Sequence, residues 1–220
     1  MAQPAILPFP TAATTAVCLA QTTAGAGNLL INGTLANLNR NNPINVVTFP
    51  SYARTVSLTV AVADLSGVNI TVTGTDIYGN AVTETRAGPN NNTVYTTALF
   101  HTVTSVSTDA AIGTAMSVGS GTTGTSTWYK LNYNNNVFNT TIAGEATATI
   151  SYTVNQTVDT VDDSAVTPVS FAVDASLTTA TGNVLFTSTK PVVAYQVVVN
   201  SSSGNGAVNV VILQQGIAGS

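Results

Sequence analysis

Apolar residues in this chain recur at every second position over short stretches, and Gly, Asn or Pro interrupts the alternation at short intervals. TVSLTVAV (55–62) shows it plainly: Val56, Leu58, Val60 and Val62 fall on one face, Ser57 and Thr59 on the other. A period of two belongs to a β-strand with one packed face. GVNITVTG (67–74) repeats it with Val68, Ile70 and Val72 inward. A turn is expected at Tyr78-Gly79-Asn80, after which AVTET (81–85) returns with Val82 as its apolar tooth. Gly88-Pro89-Asn90 ends that strand, and TVYTTALF (93–100) and HTVTSVS (101–107) follow.

The same reading places strands over NLLINGTL (28–35) and PINVVTFP (43–50). In the second half it places them within ATATISYTVNQTV, PVSFAVDAS, NVLFTS, VVAYQVVV and AVNVVILQQG. In the last of these Val208, Val210 and Ile212 alternate with Asn209 and Val211, so burial on both faces is expected there. No amphipathic helix of useful length is legible. The pattern predicts an all-β protein of antiparallel sheets, each with one packed face.

Pro4, Pro8 and Pro10, with the Ala/Thr run after them, forbid a helix at the start and predict an extended N-terminal arm over 1–16. Termini of this composition fray unless anchored. A neighbouring subunit is the preferred anchor, with packing along the chain's own domain as the other possibility, and removal of the arm is expected to leave the β-fold intact. VGSGTTGTSTWYK (118–130) reads as a flexible connection and sets a boundary near residue 120. The expected architecture is two tandem antiparallel β-sandwich domains of jelly-roll or Ig-like kind, over 17–120 and 121–220. A single larger sandwich is the alternative.

Composition sharpens this. The 220 residues are 44% hydrophobic but only 6% charged, against roughly 25% in average soluble domains. Thr, Asn, Ser and Gln fill the polar positions, and β-branched Thr suits a pleated surface. Charged side chains are a usual defence of sheet edges against further pairing. Two readings stand side by side: a component of a permanent assembly, or an extracellular β-protein kept soluble by hydroxyls and amides.

The net charge is −4, and the five basic residues, Arg40, Arg54, Arg86, Lys130 and Lys190, are scattered. No basic stripe exists to neutralise phosphates, so neither nucleic acid nor an anionic membrane surface is an expected partner. No apolar run approaches the about 20 residues of a membrane-spanning helix. The first residues lack a basic segment ahead of an apolar one, so a secretory signal is not expected. Cys18 is the single cysteine, which excludes an intrachain disulfide and a cysteine zinc site.

The candidates for chemistry are few. His101, the single histidine, has no G-x-S-x-G or comparable pattern near it and reads as a partly buried strand residue. Asp159, Asp162 and Asp163 form the one dense acidic run; it lacks the grammar of a calcium loop and reads as a solvated loop. Asp76 and Glu84 flank the 71–90 hairpin turn, where a carboxylate pair could lie across the strands, but no cleft accompanies them. Gly25 and Gly27 precede neither Lys-Ser/Thr nor a helix, so they form no phosphate loop. Trp128, Tyr129 and Tyr133 could make a sugar platform; core or interface anchoring is the favoured reading. No catalytic residue, metal site or cofactor is expected.

The segments RTVSLTVAVADLSGVNITVTGTDIYGNAVTETRAGPN, VYTTALFHTVTSVSTDAA and MSVGSG, between Arg54 and Gly121, resemble a module found in structural proteins of tailed bacteriophages and prophages. ISYTVNQTVDTV and VVVNSSSGNGAVNVVILQQG look like the β-rich tail such virion proteins carry. The resemblance implies a virion protein without enzymatic activity, most simply a capsid decoration or cement protein on the capsid surface. It implies the major capsid protein or other virion proteins as partners, and a homo-oligomer such as a trimer. Pro4, Pro8, Pro10, Trp128 and Tyr129 are the expected assembly contacts. A tail, neck or fibre-associated protein binding a host surface or glycan is the alternative.

Overall fold

The structure, a computed structural model, describes residues 2–37, 46–131, 140–147, 149–162 and 168–214. The chain is all-β, built of several antiparallel sheets, and it divides into two compact units. One is Ala12–Gly124; the other joins Met1–Thr11 to Thr125–Ser220. The segment expected as an extended arm over 1–16 is, over Ala2–Phe9, a strand of the chain's own second unit, the other possibility to the preferred neighbouring subunit. Strand β1 (Ala2–Phe9) pairs antiparallel with the last strand of the chain, from Ala2↔Leu213 to Phe9↔Gly206. The prolines do keep this segment extended, and Leu7 and Phe9 are buried. The apolar teeth of β1 therefore belong to the fold.

The first unit comprises β2 (Cys18–Thr23), β3 (Gly27–Asn28), β4 (Ala36–Asn37), β5 (Val46–Thr48) and β6 (Ala53–Val60). After these come β7 (Asn69–Thr75), β8 (Ala81–Ala87), β9 (Thr93–Tyr95), β10 (Thr102–Thr108) and β11 (Ile112–Lys130), whose last residues enter the second unit. One sheet runs β4-β5-β10-β7-β8, with β3 also on β10; β2, β11, β6 and β9 make the other layer. Val56, Leu58 and Val60 meet Ile70, Val72, Val103 and Val106 in one core, each apolar tooth taken from an alternating strand. Sheet-on-sheet burial of this kind is the largest favourable contribution to folding.

Several expectations for this unit change. Val62 is 81% exposed because β6 ends at Val60. Of the 28–35 segment only Asn28 is strand, as the end of β3. Leu29 and Ile31 are buried while Leu30 is exposed, so the alternation survives without a ladder. Its backbone is held by other means: Leu29 N–H donates to Val106 O at 2.8 Å and Leu30 N–H to Gln21 Oε1 at 2.9 Å.

The expected flexible connection 118–130 is instead part of the 19-residue β11. Its glycines serve close approach. A Cβ on Gly119 would stand 2.0 Å from Ala13 O, and one on Gly121 would stand 1.9 Å from Thr55 Oγ1. Glycine in a strand marks such approaches as readily as it marks loops.

The second unit adds β12 (Thr140–Ala146), β13 (Ile150–Thr157), β14 (Phe171–Ala172), β15 (Val184–Ser188), β16 (Ala194–Ser202) and β17 (Gly206–Gln214). One sheet runs β1-β17-β12-β15; the other has β14-β13-β16 beside the end of β11. The layers face each other: the Tyr195 hydroxyl hydrogen-bonds Thr140 Oγ1 at 2.8 Å. Gly144 leaves room for the Tyr152 ring, whose hydroxyl would lie 2.5 Å from an added Cβ. Burial on both faces of β17 is not found. Val208, Val210 and Ile212 are buried, Asn209 and Val211 are half-buried, and Leu213 is exposed.

Candidate assembly interface

The four-stranded sheet of the second unit has an outer face that carries apolar residues into solvent. Register aligns Pro4, Val211, Ala143 and Leu185 in one row across β1, β17, β12 and β15. The neighbouring row is Ala2, Leu213, Thr141 and Thr187. Leu185 is 73% exposed and Leu213 46%, while Val211 and Ala143 are half-buried. Directly opposed residues share a face, so the aliphatic groups are contiguous. Contiguous apolar surface of this sort marks interaction sites.

The edges of the sheets differ in how they are closed. Edge strand β8 turns charge inward: Glu84 stands opposite the buried Val72, and Arg86 opposite the buried Ile70. The Glu84 carboxylate accepts from Thr97 N–H at 2.9 Å, from Ala98 N–H at 2.6 Å and from Arg86 Nη1 at 3.3 Å. Inward-pointing charge on an edge strand blocks pairing with another chain. Edge strand β1 carries prolines, which have no N–H to give. Edge strand β15, Val-Leu-Phe-Thr-Ser, has neither device.

On the outer face of β7, β8 and β10, hydroxyls replace charge. Thr71 pairs with Thr85 at 2.8 Å and Thr75 with Thr102 at 2.7 Å. Cross-strand Thr pairs stabilise a sheet while satisfying each other. The result is a neutral polar surface beside the guarded β8 edge.

The sequence-predicted residues do not gather into one site. Pro4 and Pro8 lie on β1, with Pro8 exposed, and the half-buried Pro10 follows the strand. Trp128 and Tyr129 are adjacent and half-buried on β11, so the strand pleat sends them to opposite faces. They form no common platform, and Tyr133 lies outside the described residues. Burial pushes the Tyr129 hydroxyl pKa up, against hydrogen bonds with Thr127 and Ser126.

The acidic candidates are tied down locally. Asp76 Oδ1 accepts from Tyr78 N–H at 2.8 Å and Asn80 N–H at 2.9 Å. It closes the turn in which Gly79 takes φ 88°. Glu84 lies along β8 and not across from it, so the two carboxylates make no pair. Asp159 Oδ2 accepts from Val169 N–H at 2.8 Å, Asp162 pairs with Lys130, and Asp163 lies outside the described residues. Among the described residues no group of three or more His, Cys, Asp or Glu could hold a metal ion.

His101 immediately precedes β10, half-buried, with Nδ1 3.4 Å from Tyr52 O. Gly27 opens β3 and Gly25 lies in the bend before it. Cys18 is buried, and desolvation pushes its thiol pKa up to about 12. Arg54 is also buried, donating to Gly121 O from Nε at 3.2 Å and Nη2 at 2.5 Å; burial lowers its pKa to about 10.

The exposed aliphatic row escaped sequence reading. In NVLFTS the run Val-Leu-Phe is apolar throughout, and only register decides that Leu185 faces outward. Comparison with protein families, with curated proteins and with solved structures returns no match.

Proposed function

We propose that this chain is a structural protein of a bacteriophage virion, a capsid decoration or cement protein. Its two units act as sandwich domains that offer rigid contact surfaces to the coat. The observation that carries the reading is the apolar row Val211–Ala143–Leu185, with Leu213 beside it, ending at the uncharged β15 edge. A coat subunit covering this face would remove aliphatic surface from water at about 25 cal/mol per Å². Repetition by symmetry would multiply a modest single contact into high avidity. The module resemblance over Arg54–Gly121 supports the same class. The mechanism is binding, and no residue is assigned a catalytic role.

Location in the particle tests the reading. Labelled protein should mark many symmetry-related positions on the head shell. Leu185→Asp should lower occupancy at least tenfold while circular dichroism keeps its β signature. Label confined to one vertex or the tail would overturn decoration in favour of a neck, tail or fibre role. Hydrolysis of capsule or peptidoglycan by the purified protein would overturn a purely structural one.

A further inference from the structure

The strand that completes the second unit comes from the far end of the chain. Among the described residues β1 lies at the edge of its sheet and pairs with β17. Residues 12–124, a complete unit of their own, intervene between β1 and the rest of the body it joins. The link between β1 and that other unit is only Pro10 and Thr11. Beyond it the chain is fixed, with Ser120 N–H donating to Ala13 O at 3.0 Å and Ala13 N–H to Ser120 Oγ at 3.1 Å.

We infer that β1 is an exchangeable strand: in assembled protein it pairs with β17 of a second copy of this chain. The contacts are identical in either arrangement, so closure entropy and hinge strain alone separate them. Closing β1 onto its own β17 joins Phe9 to Gly206 across most of the chain. A crowded array of copies supplies the same strand at high local concentration. The pairing also sets the buried Leu7 beside the buried Val208 of β17. An unfilled β17 edge would display a row of free N–H and C=O groups.

The prolines limit the exchange to one partner. Successive residues of an antiparallel strand direct their hydrogen-bonding groups to opposite edges. Ala2, Pro4, Ile6 and Pro8 therefore share an edge, and two of those four lack an N–H. Gln3, Ala5, Leu7 and Phe9 keep every donor on the other edge. β1 can complete one β17 and cannot template a further strand, which favours closed oligomers over fibres. Thr11 supplies the latch: its N–H and Oγ1 both donate to Asn205 Oδ1, each at 2.7 Å, at the β16–β17 turn. The inference goes beyond the virion reading and holds for any assembly of this chain.

Two full-length variants in a Cys18→Ala background test it: Thr11→Cys with an affinity tag and Asn205→Cys without one. They are unfolded together, refolded at low and high concentration, and oxidised. Exchange predicts a disulfide between tagged and untagged chains that rises with concentration. The double variant Thr11→Cys/Asn205→Cys reports that the two positions meet. If it closes within one chain while the single variants give no mixed dimer at any concentration, exchange is overturned. Head labelling is read separately, so loss of the mixed dimer with head labelling intact would sink exchange alone.

Discussion

The Glu84 carboxylate receives the Ala98 N–H at 2.6 Å and so fastens edge strand β8 to the turn that follows β9. Thr97 N–H reaches both oxygens of the same carboxylate at 2.9 Å, and Arg86 balances its charge. Charge-assisted bonds to backbone amides are among the stronger polar contacts in proteins. Glu84→Ala leaves two amides without their acceptor. It should lower stability by about 1–3 kcal/mol, read as a fall in the urea midpoint at unchanged slope. Glu84→Gln keeps an acceptor and should cost less than Glu84→Ala.

Glycine at two positions of the 71–90 hairpin serves different ends. A Cβ on Gly74 would lie 1.9 Å from Thr102 O, where the β10 register shifts between Val103 and Ser105. Gly79 has open space around it but sits at φ 88°. Gly74→Ala must push two paired strands apart and should cost about 1–3 kcal/mol or more. Gly79→Ala pays only for left-handed backbone, about 1 kcal/mol. Thermal melts of the two variants should rank them in that order, and equal losses would contradict the close approach at Gly74.

How much of this was legible follows from what each pattern depends on. The hairpin with Val72 inward and a Gly79 turn could be read because both its period and its turn are local. The 28–35 segment was expected to be strand, but the backbone bonds of Leu29 and Leu30 go to Val106 and to the Gln21 side chain, which no local pattern announces. The Gly-rich 118–130 segment misled because glycine permits close approach as well as flexibility. Only the Ala13 and Thr55 contacts distinguish the two. The apolar row through Leu185 depends on the register of four strands drawn from both ends of the chain. Glu84 was visible as a carboxylate near a turn, yet its partners at Thr97 and Ala98 lie on the far side of a further strand.

Acid should loosen the first unit through Asp109. Its Oδ2 accepts from Asn69 Nδ2 at 2.7 Å and its Oδ1 from Asn69 N–H at 2.8 Å. The side-chain bond first, then the backbone bond, holds its pKa below the usual 3.8. A folded pKa below the unfolded one stabilises above the unfolded value, and that stabilisation is lost as pH falls through the folded one. Asp64 and Asp174 are lowered in the same sense by Ser66 and Ser176. The melting temperature should therefore drop as pH falls below about 4. Asp109→Asn should flatten part of that slope; an unchanged profile would remove Asp109 from the account.

Two neighbours on β1 separate its packing role from its edge role. Phe9 is fully buried, and Phe9→Ala should cost about 3–5 kcal/mol, a loss that a free arm would never show. Pro8 is exposed, so Pro8→Ala should move the urea midpoint little, within about 0.5 kcal/mol. It does, however, restore an N–H on the edge from which Pro4 and Pro8 withhold theirs. That edge can then pair with a further strand, and the variant should sediment as larger, concentration-dependent species where the parent does not. A Pro8→Ala protein with the sedimentation of its parent would show that the prolines of β1 do not guard its edge.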